Sequence, residues 1–321
     1  MGGFVSDEVR LAPNLPSVPS LAVGTWSWGD VRYWGYGGDY GPGDVVDAFI
    51  ASVDAGLTLF DTAEVYGHGE SEKILGYMVQ RAEARVVVAT KFAPLRGRGG
   101  ARAVRPALER SLRRLGLPRV DLYQLHWADR DEATLEALME ALADVAADGL
   151  VGAVGVSNLS ASELREAHAV LARRGVPLAT QQVRYSLLHR APEVDGVLEA
   201  CRELGVTLLA YSPLEQGVLT GRYGPGKAPS GPRGREERFD PAFLVAAAPA
   251  VALVGRIGQE VGRPPEQVAL NWLRAKGVVP ISGAKTGAQA VRNAGALGWS
   301  LTPEQVERLD AVTGRGFRPG G

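Results

Sequence analysis

A phenol and a carboxylate stand five residues apart in the segment LFDTAEVYGHGESE at 59–72: the apolar run closes on Asp61, and Tyr66 lies between Val65 and Gly67. Other short apolar runs also end on polar residues. Lys91 follows VVVAT, His126 follows DLYQL, Ser157 and Asn158 follow GAVGV, Gln182 lies in ATQQV, and Tyr211 and Ser212 close VTLLA. Carboxylate, phenol, ammonium and imidazole are the groups that hold and move protons in catalysis. Singly, each has an ordinary role as a helix cap, a solvated cation or a hydrogen-bonded wall residue. Together they make an acid–base site if the fold brings several strand ends to one mouth.

The elements that must do so are visible in the alternation of the chain. From Leu57 onward LTLF, RVVVAT, DLYQLH, GAVGVS, ATQQV, VTLLAYS and VVPIS are β-rich runs, and SLAVGTW at 20–26 makes an eighth. The first six intervals each leave room for one crossover helix, as in a βαβ unit of about 30 residues, which means parallel strands. Between them run apolar stripes at helical spacing: Val46, Phe49, Ile50 and Val53; Val104, Leu108, Leu112 and Leu115; Leu135, Leu138, Leu142 and Val145. Ser160 with Glu163 and Thr302 with Pro303 open helices, and Gly56 and Gly175 sit where helices should stop.

Eight such strands favour a closed (β/α)8 TIM barrel over an open doubly wound sheet, with residues 1–321 forming a single domain. Two long active-site loops break the pattern. WSWGDVRYWGYGGDYGPGD follows the first strand, and GRYGPGKAPSGPRGREERFDP, succeeded by extra helices, lies between Tyr211 and Val278.

The 321 residues carry a net charge of −1, with 22% charged and 45% hydrophobic side chains, and show no bias toward nucleic acid or membrane. Cys201 is the sole cysteine, so no internal disulfide forms and a reducing compartment is expected. The first twenty residues lack a signal pattern, and no apolar run is long enough to span a bilayer; a cytoplasmic location is expected. Four histidines with no His-x-His pair supply a metal-dependent barrel hydrolase poorly.

GTWSWG, FDTAEVYGHGESE, VVVATKF, VDLYQLHWAD, GAVGVSNLS, QQVRYSLL, AYSPLEQGVLTGRY and VVPISGAKTGAQAVRNAGAL occur in an order that resembles the aldo-keto reductases along nearly the whole chain. The likeness is nearest to a bacterial and plant-plastid branch with GTWSWGD…YWGY near the start and PSGPRGR in the late loop, some of whose plant members are described as pyridoxal reductases. The resemblance implies NADPH-dependent reduction of aldehyde or ketone carbonyls to alcohols, with Tyr66 as general acid and Asp61, Lys91 and His126 completing a tetrad. A tyrosine with a pKa of about 10 holds its proton at neutral pH; a nearby Lys91 cation is expected to lower that value, and Asp61 to orient and balance the lysine. His126, as a neutral ring, would donate to the carbonyl oxygen.

No Gly-x-Gly-x-x-Gly follows a strand, and GGDYGPG is wrongly patterned for a dinucleotide turn. The resemblance implies instead a coenzyme extended across the barrel mouth, NADPH or NADP+ ahead of NADH. Carried over by motif position, Ser157, Asn158 and Gln182 hold the carboxamide and Tyr211 stacks on the nicotinamide, with Gly24, Thr25, Trp26 and Asp61 also at the coenzyme. Ser212, Pro213, Leu214, Gly217, Leu219 and Arg222 follow the ribose and pyrophosphate, and Gly283, Lys285, Gln289 and Asn293 surround the adenosine end. Where many relatives place arginine near Thr286 or Gln289 this chain has none, leaving Lys285, expected in the first turn of a helix, as the cation for a 2′-phosphate.

For a small-molecule carbonyl substrate the expected contacts are Trp26, Trp34, Tyr66, His126 and Trp127, with Trp28, Tyr33 and Tyr36 as further aromatic candidates of the first loop. The competing reading is a non-catalytic nicotinamide-sensing subunit of the potassium-channel β type. Such subunits typically depart from the tetrad at the histidine, and this chain keeps His126.

Overall fold

Parallel strands covered on both faces read as nearly continuous apolar runs, and the computed structural model, which describes residues 6–128 and 131–314, forms strands at those runs. After a short antiparallel pair, β1 (Glu8–Val9) and β2 (Val18–Pro19), come β3 (Ala22–Gly24), β4 (Leu59–Asp61), β5 (Val87–Phe92), β6 (Val120–Leu125), β7 (Val151–Ser157), β8 (Leu178–Arg184), β9 (Thr207–Tyr211) and β10 (Val279–Gly283). β3 to β10 make a closed barrel in sequence order. Closure rests on β10 pairing in parallel with β3, Ser282 opposite Val23, which excludes the open doubly wound sheet. The fold is the (β/α)8 barrel.

Register fixes the level at which side chains meet. Gly24 is opposite Asp61, Lys91 opposite Gln124, and Ser157 opposite Gln182. β5 runs through Phe92, so Lys91 lies within the strand rather than after it. Below this level the lumen is packed by small and branched side chains, including Ala22, Leu59, Val87, Ala89, Leu122 and Ile281. Leu11, Leu15 and Val18 join that cluster from the β1–β2 segment. The packing leaves the opposite, carboxyl end of the strands for chemistry.

Ser160 makes the expected capping box with Glu163, Thr302 opens its helix before Pro303 as expected and also boxes with Gln305, and Gly56 (φ 81) and Gly175 (φ 67) follow the helix ends in left-handed conformation. The stripe from Val104 to Leu115 is buried as expected. The first helix, Pro42–Asp54, differs: it buries Val45, Ala48, Phe49 and Ser52, while Ile50 is 50% exposed. The buried stripe, with small Ala48 and Ser52 in it, is thus rotated from the most apolar one.

The helix Pro241–Val261 corrects the expectation that nothing here is apolar enough for a bilayer: its 21 residues reach a mean hydropathy of 1.7. Phe243, Leu244, Ala247, Ala250, Leu253, Val254 and Ile257 are nevertheless buried in the main core, so its apolarity serves packing. Cys201 is also a core residue, and burial pushes its thiol up to about 12.

Candidate active site

Asp61 ends β4, and the side chain of Lys91 reaches it from the neighbouring strand. The ammonium stands 2.5 Å from Asp61 Oδ1, donates to the Thr62 carbonyl at 2.8 Å and lies 3.3 Å from the Tyr66 hydroxyl. Asp61 is 2% exposed and Lys91 fully buried. Tyr66 opens a 3₁₀ turn, Tyr66–Gly69, in which Gly67 and His68 are left-handed at φ 55 and 56. A Cβ at Gly67 would stand 2.8 Å from the Gly29 carbonyl oxygen, so glycine lets this turn dock against the first loop.

Burial raises the Tyr66 phenol above its ordinary value; Lys91 pulls it down and Asp61 pushes it back up. The sequence expectation of a lowered pKa is therefore corrected: the lysine acts in the expected direction, but desolvation outweighs it. For Lys91, burial acts downward, yet Asp61 and Tyr66 leave its ammonium above the usual lysine range. His126 follows β6 with its ring 5.9 Å from that of Tyr66 and 4.5 Å from that of Trp127. Burial first, and Lys91 second, lower its pKa to about 3, so the imidazole is neutral, and its buried Nδ1 has no partner.

The ends of β7, β8 and β9 form one hydrogen-bonded cluster. Ser157 Oγ donates to the Gln182 carbonyl at 2.8 Å, Asn158 Nδ2 to the His126 carbonyl at 3.0 Å, and the Tyr211 hydroxyl to Asn158 Oδ1 at 3.1 Å. Asn158 and Ser212 are left-handed, at φ 58 and 54, a conformation that turns the chain sharply as each strand ends. The Gln182 amide donates to Asp61 Oδ2 at 2.9 Å, and that of Gln124 joins it at 3.2 Å. Thr25 is fully buried, its hydroxyl bound to the Asp61 carbonyl at 3.1 Å and to Ser71 at 2.7 Å.

Aromatic side chains of the first loop gather beside Tyr66. Trp26 stacks on Tyr33 at 4.9 Å, meets Trp34 edge-on at 5.3 Å and stands 6.0 Å from the Tyr66 ring. Trp28 is instead fully buried with Nε1 donating to the Ala284 carbonyl at 2.7 Å, and Tyr36 packs on Tyr40. The late loop arches over to the same aromatics. The Arg233 guanidinium lies 4.5 Å over Trp34 and donates to Gln216 at 3.0 Å, while Gln216 and Glu236 both bond the Tyr33 hydroxyl.

Lys285 comes to Trp34 from β10. Its ammonium donates to the Trp34 carbonyl at 3.0 Å, 4.1 Å from the Tyr40 ring, and burial with Arg233 and Arg222 lowers its pKa to about 8. The following helix is Gly287–Ala294 with Thr286 as N-cap, so Lys285 precedes the first turn in which it was expected. Gln289 accepts from the Lys285 backbone at 2.7 Å, and Asn293 donates to the Gly283 carbonyl at 3.2 Å, both bracing this corner. Gly24 abuts Ile281, and Gly217, at φ 105, turns the chain beside Leu214. Arg222 leans on Tyr223 at the surface. Pro213 and Leu219 are buried, so the segment 212–222 offers a ligand mainly its backbone, Ser212 and Arg222.

Four residues of this site were not singled out from sequence: Gln124, Gln216, Arg233 and Glu236. For Gln124 a signal existed. It is two residues beyond Leu122, which faces the lumen, so a polar side chain stood on the inward face of a strand. The other three act across two loops far apart in sequence, and no local pattern marks that pairing.

Residues 20–313 match the model of the Aldo/keto reductase family. Over 315 residues the chain is 38% identical to the chloroplastic pyridoxal reductase of Arabidopsis thaliana, covering 94% of this chain and 85% of the relative. Among solved structures it resembles a glycerol dehydrogenase from Gluconobacter oxydans, with TM-score 0.85 and 28% identity over 98% and 97% of the two chains. An aldo/keto reductase from Klebsiella pneumoniae in complex with NADP and acetate superimposes with TM-score 0.74 and 29% identity, covering 92% of each chain. A (β/α)8 barrel, a family match over nearly all of its length and relatives named as reductases agree: the chain belongs to the aldo/keto reductase family.

Proposed function

We propose that the protein reduces an aldehyde or ketone to the alcohol, with NADPH as reductant, Tyr66 as proton donor and Asp61, Lys91 and His126 in support. The observation that carries this reading is the buried line from Asp61 to Lys91 at 2.5 Å and on to the Tyr66 hydroxyl at 3.3 Å, opening beside a neutral His126. When bound, the nicotinamide would supply hydride to the carbonyl carbon. Tyr66, which keeps its proton at neutral pH, gives it to the carbonyl oxygen, and Lys91 stabilises the phenolate left behind. Asp61 balances the charge of Lys91 and holds its direction. The neutral His126 has one N–H, which aimed at the carbonyl oxygen would polarise and place it.

The residues fit a nicotinamide dinucleotide. Ser157, Asn158 and Gln182 offer amide and hydroxyl groups for the carboxamide, and the ring of Tyr211 is the platform beside them. Ser212, Leu214, Gly217 and Arg222 lie along the path to Gly283, Gln289 and Asn293. There Lys285, Arg233 and Arg222 bring positive charge together, which adds to burial in lowering the Lys285 pKa, and this charge favours a 2′-phosphate. The plant relative named as a pyridoxal reductase, the cluster of Trp26, Tyr33 and Trp34, and Trp127 against His126 together favour a planar aromatic aldehyde. Residues 1–321 are read as one domain. The test is a panel of carbonyl compounds, pyridoxal and methylglyoxal included, followed by loss of NADPH absorbance. Turnover of at least one aromatic aldehyde with NADPH is expected; a complete lack of turnover across the panel with coenzyme bound would favour the sensing role.

A further inference from the structure

The carboxylate of Asp61 has one oxygen in an ion pair and the other held by amides. Oδ1 faces Lys91 at 2.5 Å; Oδ2 accepts from Gln182 Nε2 at 2.9 Å and from Gln124 Nε2 at 3.2 Å. Gln124 is fully buried on β6, opposite Lys91 in register. Its Oε1 accepts from Thr180 Oγ1 at 3.3 Å and from Gln182 Nε2 at 3.4 Å, so both ends of the amide are engaged and its direction is set. The room comes from Gly155 on β7. A Cβ there would lie 2.2 Å from Thr180 Oγ1 and 2.9 Å from Gln124 Cγ, closer than packing allows.

A buried ion pair costs several kcal/mol of desolvation unless its remaining lone pairs are satisfied and its geometry is held. We propose that Gln124 is a positioning residue for carbonyl reduction: it holds the Oδ2 edge of Asp61 so that Lys91 stays aimed at Tyr66, and it frees Gln182 to turn toward the nicotinamide carboxamide. The inference rests on the tetrad reading above. Of the two residues whose amides meet Oδ2, Gln182 is tied to the mouth through its backbone carbonyl, which accepts from Ser157, and its amide also donates to Gln124 Oε1 at 3.4 Å, whereas Gln124 is tied back to Thr180. When Gln182 serves the coenzyme, Gln124 keeps Oδ2 occupied. Without Gln124, coenzyme and Asp61 compete for a single amide.

Gln124→Met keeps the side chain's bulk and deletes its hydrogen bonds to Asp61, Thr180 and Gln182; Gln124→Glu restores a donor only while its carboxyl is protonated. The charged and titratable groups around that position are Asp61, Lys91 and, beyond the lysine, Tyr66; Thr180, Gln182 and Leu122 are neutral. Beside Asp61 the new carboxyl should titrate well above the usual glutamate range, because two carboxylates resist ionising together. For Gln124→Met, kcat should fall about tenfold and NADPH should bind several-fold more weakly, with the aldehyde KM little changed. For Gln124→Glu, turnover should be low at pH 9 and recover toward pH 6, where the native enzyme is flat.

Tyr66→Phe is assayed beside them. A silent Gln124→Met next to an inactive Tyr66→Phe overturns this inference alone, and full turnover in Tyr66→Phe overturns the tetrad reading and this one with it. If Gln124→Met melts far below the native protein, the Gln124→Glu profile decides: recovery on acidification supports positioning, and an equal loss at every pH overturns it.

Discussion

Lys91 carries the most consequential charge in the molecule, because it is fully buried and its partner Asp61 is nearly so. Removing one member of such a pair strands the other, at a cost of about 3–5 kcal/mol. Lys91→Met should therefore abolish turnover and lower the melting temperature, whereas Lys91→Met combined with Asp61→Leu should regain much of the stability and none of the activity. Calorimetry on the two variants checks this, and a double variant no more stable than the single one would contradict it. The acid limb of the rate profile follows from His126. With its pKa at about 3, the ring does not titrate between pH 5 and 8, so kcat should be flat there and decline only at alkaline pH as the Tyr66 phenol loses its proton. An inflection near pH 6.5 that disappears in His126→Gln would contradict the assignment. The identities of these four residues were legible because each closes or follows an apolar run. The direction of the Tyr66 shift was not, since it depends on how much water the folded site excludes, which spacing does not state. Gln124 was overlooked because a glutamine inside a strand reads as ordinary until the strand's inward face is known.

The loops hold the elements whose roles depend on partners distant in sequence. Trp34 is the meeting point: Arg233 covers its ring at 4.5 Å and Lys285 bonds its carbonyl at 3.0 Å. Trp34→Ala should raise KM for a bulky aromatic aldehyde more than for a small one, measured as the ratio of the two constants; equal changes would assign the ring to packing. Lys285 supplies a second test. As the free enzyme's ammonium deprotonates near pH 8, any preference for NADPH over NADH that it creates should weaken as pH rises through 8 and persist below it. Lys285→Ala should remove the pH dependence and much of the roughly tenfold or greater preference expected of a charge-assisted contact, in fluorescence titrations at one ionic strength. Loss of affinity for both coenzymes alike would shift the role to Arg233 or Arg222. The strands were legible to within two residues or so. The inner stripe of Pro42–Asp54 was not, because small Ala48 and Ser52 are buried where the larger apolar residues seemed to mark the inner face.

At the scale of the whole molecule the barrel does two things: it stacks an apolar lumen beneath the mouth, and it places four strand ends around one buried charge pair. Eight regularly spaced runs were enough to read that architecture, while the long apolar helix Pro241–Val261 shows what composition leaves open, since burial rather than hydropathy states its role. That this mouth reduces a carbonyl with the Tyr66 proton is the central expectation. It is tested most directly by comparing native protein and Tyr66→Phe under saturating NADPH with the best aldehyde of the panel, alongside NADPH affinity by fluorescence. Turnover should fall by about 10²-fold or more, as loss of a general acid requires, with NADPH affinity within about twofold of native. Near-native turnover in Tyr66→Phe would contradict the claim.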